Sequence, residues 1–198
     1  EEYMTREEAA SILCGVFGDE LDNDGYIISA FDDVSADRWS FEAINCLYSN
    51  GVVSGNGGSF RPEDKITRAE MASMIYRLSD EKFGSRNFND TEGHWAEKYI
   101  ETVAAEGWIA GYSDGSFRPD EKITRAEAVF LINKVLDREP ENKEALLNDM
   151  KVFKDNTDET KWYYLAIQEA SNSHEYSRKD NGFEVWNLVT EEIKRPVI

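Results

Sequence analysis

The sequence predicts a mainly α-helical fold, with tandem helix–loop–helix repeats arranged as a pseudo-three-fold helical bundle. Residues 65–73 return almost unchanged at 122–130, 57 positions later, and more loosely at 3–11. The stretch that precedes this segment, 58–62, also returns at 115–119. A regular apolar stripe follows each of the three copies. A fixed period of this kind sets the architecture of a repeat protein.

The apolar stripe predicts one helix after each copy. Counted from the threonine that opens the motif, apolar residues stand four, seven, eight and eleven positions later in all three copies. Residues at this spacing lie on one face of a helix. Three equivalent helices that bury the same face pack most economically around a common axis. The stripe residues are Ala9, Ile12, Leu13, Val16, Met71, Met74, Ile75, Leu78, Ala128, Leu131, Ile132 and Val135.

A second helix is predicted before the Gly-rich loop of each repeat. Trp39, Trp95 and Trp162 stand at the starts of these helices, and glycine-containing segments end the first two, at residues 50–51 and 107. In the loops, glycine supplies the positive φ angles that tight turns require. The aromatic residues expected to anchor the two loops to the core are Phe60 and Phe117.

Repeat boundaries follow from the spacing. We expect the second half of a first repeat plus a connector at 1–30, a repeat at 31–87, a repeat plus a connector helix at 88–150, and a divergent or partial repeat with a tail at 151–198. The connector helix is expected within 139–150, and a hairpin or strand after residue 174. Since the first residues already belong to the second half of a repeat, the sequence is expected to be part of a longer chain.

Composition sets limits on the partners. The 198 residues are 40% hydrophobic and 12% aromatic, which is enough to bury a core. The net charge of −18 disfavours general attraction to nucleic acid or to an anionic membrane, so an anionic ligand would need a local basic site. No stretch is long and apolar enough to predict membrane insertion.

Two cysteines, Cys14 and Cys46, lie in apolar helical segments. Two cysteines do not make a disulfide framework. They are expected either to be reduced and partly buried thiols or to form one bridge between neighbouring helices.

The repeated Thr-Arg-Ala-Glu motif is typical of a capping box, in which a threonine and a glutamate three residues later bond each other's backbone amides. Loss of such a cap costs about 1 kcal/mol. The capping residues predicted from the motif are Thr5, Thr67, Glu70, Thr124 and Glu127.

Capping leaves the arginine of the motif unexplained, because a cation at the first helical position faces the positive end of the helix dipole. Arg6, Arg68 and Arg125 all occupy that position. A guanidinium beside free helix N–H groups would make an anion site for a carboxylate or phosphate. Alternatively, each arginine pairs with a neighbouring acid. The three tryptophans either offer flat faces to a sugar ring or pack in the core.

Other chemistries find weak support. Residues 20–25 resemble part of a calcium loop, but Phe31 stands where the closing glutamate is needed. His94 and His174 lack metal-ligand spacing, so no metal or cofactor is expected. No acid/base pair recurs with the repeats, so we do not expect an enzyme.

Taken in order, several motifs resemble an S-layer homology repeat. They are Phe88-x-Asp90, Trp95-Ala96, Tyr99-Ile100, Gly107, Gly111-Tyr112-x-Asp114-Gly115-x-Phe117-Arg118-Pro119 and Ile123-Thr124-Arg125-Ala126-Glu127. Residues 31–79 and 88–136 are clear copies, 3–17 are the end of an earlier one, and the chain after Phe153 is divergent.

The resemblance implies a three-pronged spindle that anchors an exported protein at the bacterial cell surface. Its grooves would bind secondary cell wall polysaccharide, a peptidoglycan-linked glycan carrying pyruvate ketals, and other S-layer proteins are possible partners. The alternative is a structural or self-assembly module in which the motif only caps helices. Ligand-binding residues implied by the family are Arg6, Arg68, Arg125, Trp39, Trp95, Trp162, Gly55, Gly111 and Tyr112.

Some positions depart from the family pattern. The loop from Gly55 to Phe60 is one residue shorter than its counterpart and lacks equivalents of Tyr112 and Asp114. Glu7 replaces alanine and is expected to add negative charge beside Arg6. The final unit has no equivalent arginine. We therefore expect Arg125 to matter most for binding, then Arg68, then Arg6.

Overall fold

The computed structural model describes residues 2–22, 29–79 and 84–190. Its mainly helical architecture confirms the predicted fold class. The chain divides into two compact units, unit 1 at residues 1–125 and unit 2 at residues 126–198. The α-helices are α1 Arg6–Phe17, α2 Phe41–Ser49, α3 Arg68–Leu78, α4 Glu97–Ala105, α5 Arg125–Val135 and α6 Tyr164–Ser171, and the strands are β1 His174–Arg178 and β2 Glu184–Val189.

Capping boxes begin α1 and α3. The Thr67 hydroxyl accepts a hydrogen bond from the Glu70 amide at 3.1 Å, and the Glu70 carboxylate accepts one from the Thr67 amide at 2.9 Å. Thr5 and Glu8 make the same pair of bonds at 3.2 and 2.8 Å. Both helices therefore start at the arginine of the motif, as does α5.

The three motif segments join in a closed ring within unit 1. The Met4 amide donates to the Ile123 carbonyl at 3.2 Å, the Ile66 amide to the Met4 carbonyl at 3.0 Å, and the Ile123 amide to the Ile66 carbonyl at 3.1 Å. All three side chains are fully buried. Three-fold repetition of the sequence thus becomes a three-membered ring of backbone hydrogen bonds.

An aspartate near the start of each complete repeat holds the Gly-rich loop. Asp33 accepts from the amides of Phe60 and Arg61 at 2.8 and 2.7 Å. Asp90 accepts from the amides of Phe117 and Arg118 at the same two distances.

These bonds stabilise an unusual backbone conformation, because Arg61 and Arg118 have φ near +60°. The rings of Phe60 and Phe117 are buried, which confirms their predicted role as loop anchors.

The first helices of the repeats start two residues after the tryptophans, at Phe41, Glu97 and Tyr164. Single turns precede them: the Phe41 amide, for example, donates to the Arg38 carbonyl at 2.9 Å. Trp39, which the sequence placed at a helix start, therefore lies on a turn.

Unit 2 contains the expected hairpin. Strands β1 and β2 pair antiparallel, with an irregular register between Glu175 and Tyr176. Trp186 of β2 packs with Leu146 and Tyr164 in a small core. The helix expected within 139–150 is a single 3₁₀ turn, at Lys143–Ala145. None of the helices in the described ranges is long and apolar enough to span a membrane.

Replacement of the capping threonine tests the helix starts. We expect Thr67→Ala to lower the free energy of unfolding by about 1 kcal/mol, since the Glu70 amide loses its acceptor. Ser11→Ala is the control, because the buried Ser11 hydroxyl has no hydrogen-bond partner among the described residues and its loss should cost under about 0.5 kcal/mol. Urea denaturation measures both; equal stability of the two variants would contradict the capping role.

Candidate functional site

The arginines of the first two motifs, Arg6 and Arg68, each clamp the Gly-rich loop of the next repeat. Arg6 donates from Nε to the Phe60 carbonyl at 2.8 Å and from Nη2 to the Ser54 carbonyl at 3.3 Å. Its guanidinium also lies 4.6 Å from the centre of the Phe60 ring. The guanidinium is buried, so this arginine is a structural link between repeats as well as a charge.

Arg68 repeats the clamp on the following loop. Its Nε donates to the Phe117 carbonyl and its Nη2 to the Ala110 carbonyl, both at 2.9 Å. The guanidinium lies 4.7 Å from the Phe117 ring centre and 5.0 Å from that of Tyr112. The repeated geometry gives the motif arginine a role that local helix rules do not supply.

The expectation of free N–H groups at these helix starts was wrong. In α3, the Arg68 amide donates to the Glu121 carbonyl at 2.9 Å and the Ala69 amide to the Pro119 carbonyl at 3.0 Å. In α1, the Arg6 and Glu7 amides likewise donate to the carbonyls of Asp64 and Pro62. Since the threonine takes the next amide, none of the first three amides of either helix is left for an anion.

Two of the arginines pair with neighbouring acids, the second of the two roles considered above. Arg6 lies 2.6 Å from Glu70, and Arg125 lies 2.7 Å from Glu8. In both pairs the carboxylate belongs to the capping box of another repeat. The Arg125 side chain remains 45% exposed. Arg6 is buried, and its burial lowers its pKa although the nearby negative charge of Glu70 acts in the opposite direction.

Glu7 does not act as an uncompensated charge beside Arg6. Its carboxylate accepts two hydrogen bonds from Arg38, at 2.7 and 2.9 Å, and one from the Ser40 hydroxyl at 2.7 Å. The bond from Arg38, followed by that from Ser40, holds the pKa of Glu7 below its usual value against the effect of burial. The expected negative charge is thus neutralised by a residue the sequence did not single out.

A groove of about 180 Å³ opens beside the Arg6 clamp. Its lining carries three arginines and one glutamate, which makes it locally cationic on a chain of net charge −18. The lining residues are Arg6, Val52, Val53, Ser54, Gly55, Asn56, Arg61, Glu70, Ser73, Met74, Arg77 and Trp95.

Two of these arginines have weak internal pairing. Arg77 donates to the Val52 carbonyl at 3.1 Å and lies over the Tyr99 ring, and no acid of the described residues pairs with it. Arg61 is half exposed, and its ion pairs with Asp64 and Glu70 are long, at 3.7 and 3.8 Å. Both guanidinium groups keep N–H donors for a ligand.

The shortened loop explains the setting of Arg61. Its counterpart, Arg118, stacks on Tyr112 at 3.9 Å and pairs with Asp114 at 3.1 Å. The loop from Gly55 to Phe60 lacks both partners. Because its loop is one residue shorter, Arg61 is left beside the groove. Arg118, in the longer loop of the next repeat, is instead held by contacts within that loop.

The three tryptophans that precede the first helices of the repeats are all exposed, which argues against core packing for them. Trp39, Trp95 and Trp162 are 65%, 58% and 55% accessible. Trp95 lines the groove of unit 1, and Trp162 lines a separate cavity of about 120 Å³ within unit 2.

Glycine is required in the loops by close packing. A Cβ on Gly111 would lie 2.2 Å from the Phe88 ring and 2.7 Å from the Ser116 carbonyl oxygen. A Cβ on Gly55 would meet Phe31 and Ser59 in the same way, at 2.5 and 2.6 Å.

Unit 2 contains a buried charge cluster that sequence spacing did not reveal. Glu169, His174 and Glu184 bring three possible metal-ligand atoms within 4.8 Å of one another. The guanidinium of Arg138 lies among them, 2.8 Å from Glu169 and 2.7 Å from Glu184, and its Nη2 is 2.9 Å from His174 Nε2. Internal cations thus already pair with both carboxylates, because Arg178 also lies 3.6 Å from Glu184.

The calcium interpretation gains nothing within the described part of the chain. Asp24 and Gly25 lie outside it, and the Phe31 ring is buried against Phe60.

Cys14 and Cys46 are free thiols.

Fold and site together define a module of tandem helical repeats, interlocked by buried arginines and opening into a cationic groove. The model of the S-layer homology domain family matches residues 30–72 and 87–129. These two segments of the chain belong to the S-layer homology family.

Curated relatives agree with this assignment. A cellulosome-anchoring protein of Acetivibrio thermocellus is 38% identical over 196 residues, which are 93% of this chain and 42% of the relative. Cell surface glycoprotein 1 of the same organism is 32% identical over 91% of this chain and 8% of its own length. An S-layer protein of Bacillus thuringiensis subsp. finitimus is 38% identical over 52% of this chain and 13% of its own length. The chain thus spans less than half of each relative.

Substitution of the loop glycine should disturb the packing described above. We expect Gly111→Ala to lower the free energy of unfolding by about 3 kcal/mol, because its Cβ has no room beside Phe88. Gly15→Ala is the control: Gly15 lies inside α1 with open space around its Cα, and the variant should gain about 0.5–1 kcal/mol. Thermal melts that show no loss in the first variant would refute the close contact.

Titration of Asp114 tests the loop that contains Tyr112. Hydrogen bonds from the Ser116 hydroxyl and amide, then from Arg118, lower the pKa of Asp114 to about 2. Its stabilising effect is present above the unfolded pKa of about 3.9 and is lost as the pH falls towards 2.

We expect a ¹³C NMR midpoint near 2 in the native protein and a clearly higher midpoint in Ser116→Ala. Asp158, whose hydrogen bonds come from Thr160, should keep its own midpoint in that variant and serves as the internal control. An unchanged Asp114 midpoint in Ser116→Ala would contradict the assigned cause.

Proposed function

We propose that this chain is a non-catalytic module that anchors a larger protein at the bacterial cell surface by binding anionic secondary cell wall polysaccharide. The observation that carries the proposal is the groove of unit 1, cationic on an acidic chain and bordered by the exposed Trp95. The names of the cellulosome-anchoring and S-layer relatives support the same role.

A carboxylated sugar fits the chemistry of this groove. Arg77 and Arg61 can donate to a pyruvate ketal carboxylate, since neither is held in a short ion pair. Guanidinium groups suit such a ligand because two parallel N–H donors match the two carboxylate oxygens. The indole of Trp95 offers an apolar face to the sugar ring beside them.

We propose a division of work among the arginines that is not the order expected from the sequence. Arg6 and Arg68 mainly hold the loops in place and supply positive charge from behind, because each donates two hydrogen bonds to loop carbonyls. Arg77, which lies outside the Thr-Arg-Ala-Glu motif, is the better candidate for direct contact in this groove. Arg125 remains a candidate through its half-exposed side chain.

Purified cell walls test the proposal. We expect Arg77→Ala and Trp95→Ala each to weaken binding about tenfold or more, since loss of a charge-assisted hydrogen bond or of an aromatic contact costs roughly 1.5–3 kcal/mol. Lys154→Ala removes the same charge from an exposed position outside the groove and should bind normally. Circular dichroism verifies that each variant is folded.

A second arm identifies the chemical group recognised. The chain should bind only weakly to walls from which the pyruvate has been removed. Added salt should weaken its binding to untreated walls. Unchanged binding to the treated walls, or by folded Arg77→Ala and Trp95→Ala, would reject the proposal. Self-association of the chain without glycan, measured by sedimentation, would instead favour a self-assembly module.

A further inference from the structure

The residue nine positions after the opening threonine makes an equivalent inter-helix contact in each copy of the motif. In the second copy this residue is Tyr76 of α3, whose ring lies 4.9 Å from that of Tyr99 in α4. In the third it is Asn133 of α5, which donates to the Ala166 carbonyl of α6 at 2.9 Å. This position therefore joins the second helix of one repeat to the first helix of the next.

In the first copy this position is a cysteine, and the helix it faces carries the second cysteine about one turn beyond the partner positions of the other copies. Cys14 of α1 stands at the equivalent position, and α1 packs on α2, which carries Cys46. Both sulfurs border the turn that follows α1: a Cβ on Gly18 would lie 3.8 Å from Cys14 Sγ, and Cys46 Sγ lies 3.9 Å from the Asp22 carbonyl oxygen. Cys46 is buried and Cys14 is half buried, so an external reagent reaches the second cysteine only through the first.

We propose that Cys14 and Cys46 form a redox-active pair, which a low-molecular-weight disulfide oxidises to a covalent bridge between α1 and α2. The ring contact of the second copy and the amide contact of the third would thus have a covalent equivalent in the first. Neither thiol takes part in the groove, so the pair is independent of glycan binding.

The chemistry proceeds in two exchanges. The Cys14 thiolate attacks the external disulfide, forming a mixed disulfide and releasing one thiolate. The Cys46 thiolate then attacks the Cys14 sulfur and releases the second. The reagent gains two electrons and, with the two protons from the cysteines, leaves as two thiols, while the protein gains one S–S bond.

Reactivity of the native pair should depend on pH. Burial, and then the neighbouring thiol, raise the pKa of Cys14 to about 11. Because the thiolate is the attacking species, oxidation of the folded chain should be slow at neutral pH and faster in alkaline buffer. Refolding in a redox buffer, where both thiols are solvated, avoids this barrier.

Glutathione disulfide is a suitable probe, applied to the folded chain at several pH values and to the urea-unfolded chain during refolding. We expect a monomeric product that has lost two hydrogens, carries no glutathione and resists alkylation after denaturation. Its melting temperature should rise by about 5 °C or more, because the bridge limits the unfolded chain, and reduction should reverse the rise.

Single variants separate the steps. Cys46→Ser should stop at a mixed disulfide on Cys14, and Cys14→Ser should react poorly while folded because Cys46 is buried. The proposal is overturned if the refolded wild-type chain stays reduced, keeps a glutathione adduct, forms only intermolecular disulfides, or melts at a lower temperature once bridged.

Discussion

A guanidinium held on two backbone carbonyls joins each repeat of unit 1 to the next. Arg6 and Arg68 reach across to the loops that contain Phe60 and Phe117, and each loop is fixed from its own repeat by an aspartate. Arginine suits this position because it stays protonated and its planar fork can satisfy several acceptors at once. The shape of the groove depends on these loops, so structural and ligand-binding roles of the motif cannot be separated by removing the arginine alone.

Much of this architecture was predictable from the sequence because it is periodic. The repeated apolar stripe and the threonine–glutamate spacing located α1, α3 and α5 at their first residues. The tail hairpin was also anticipated. Local patterns failed where the partner lies far along the chain. The amides of Arg68 and Ala69 bond carbonyls at positions 121 and 119, and nothing near the helix start signals those acceptors.

The candidate site was predicted less fully than the fold. The motif drew attention to its arginines, whereas Arg77 is an ordinary residue in the last turn of a helix and acquires interest only through its place in the groove. Asp33 and Asp90 carried a detectable signal, since each stands two residues after a repeated phenylalanine. The cluster around Arg138 had none, because its members come from α6, both strands and the segment after α5.

The ring formed by Met4, Ile66 and Ile123 also constrains how the polypeptide reaches its native state. Its first and last members are separated by more than a hundred residues, so the contact that closes the ring has a high contact order. During synthesis, the N-terminal segment has no ring to enter until residue 123 has left the ribosome. Unit 1 can therefore close its ring only after all three motif segments have been synthesised, and not one repeat at a time.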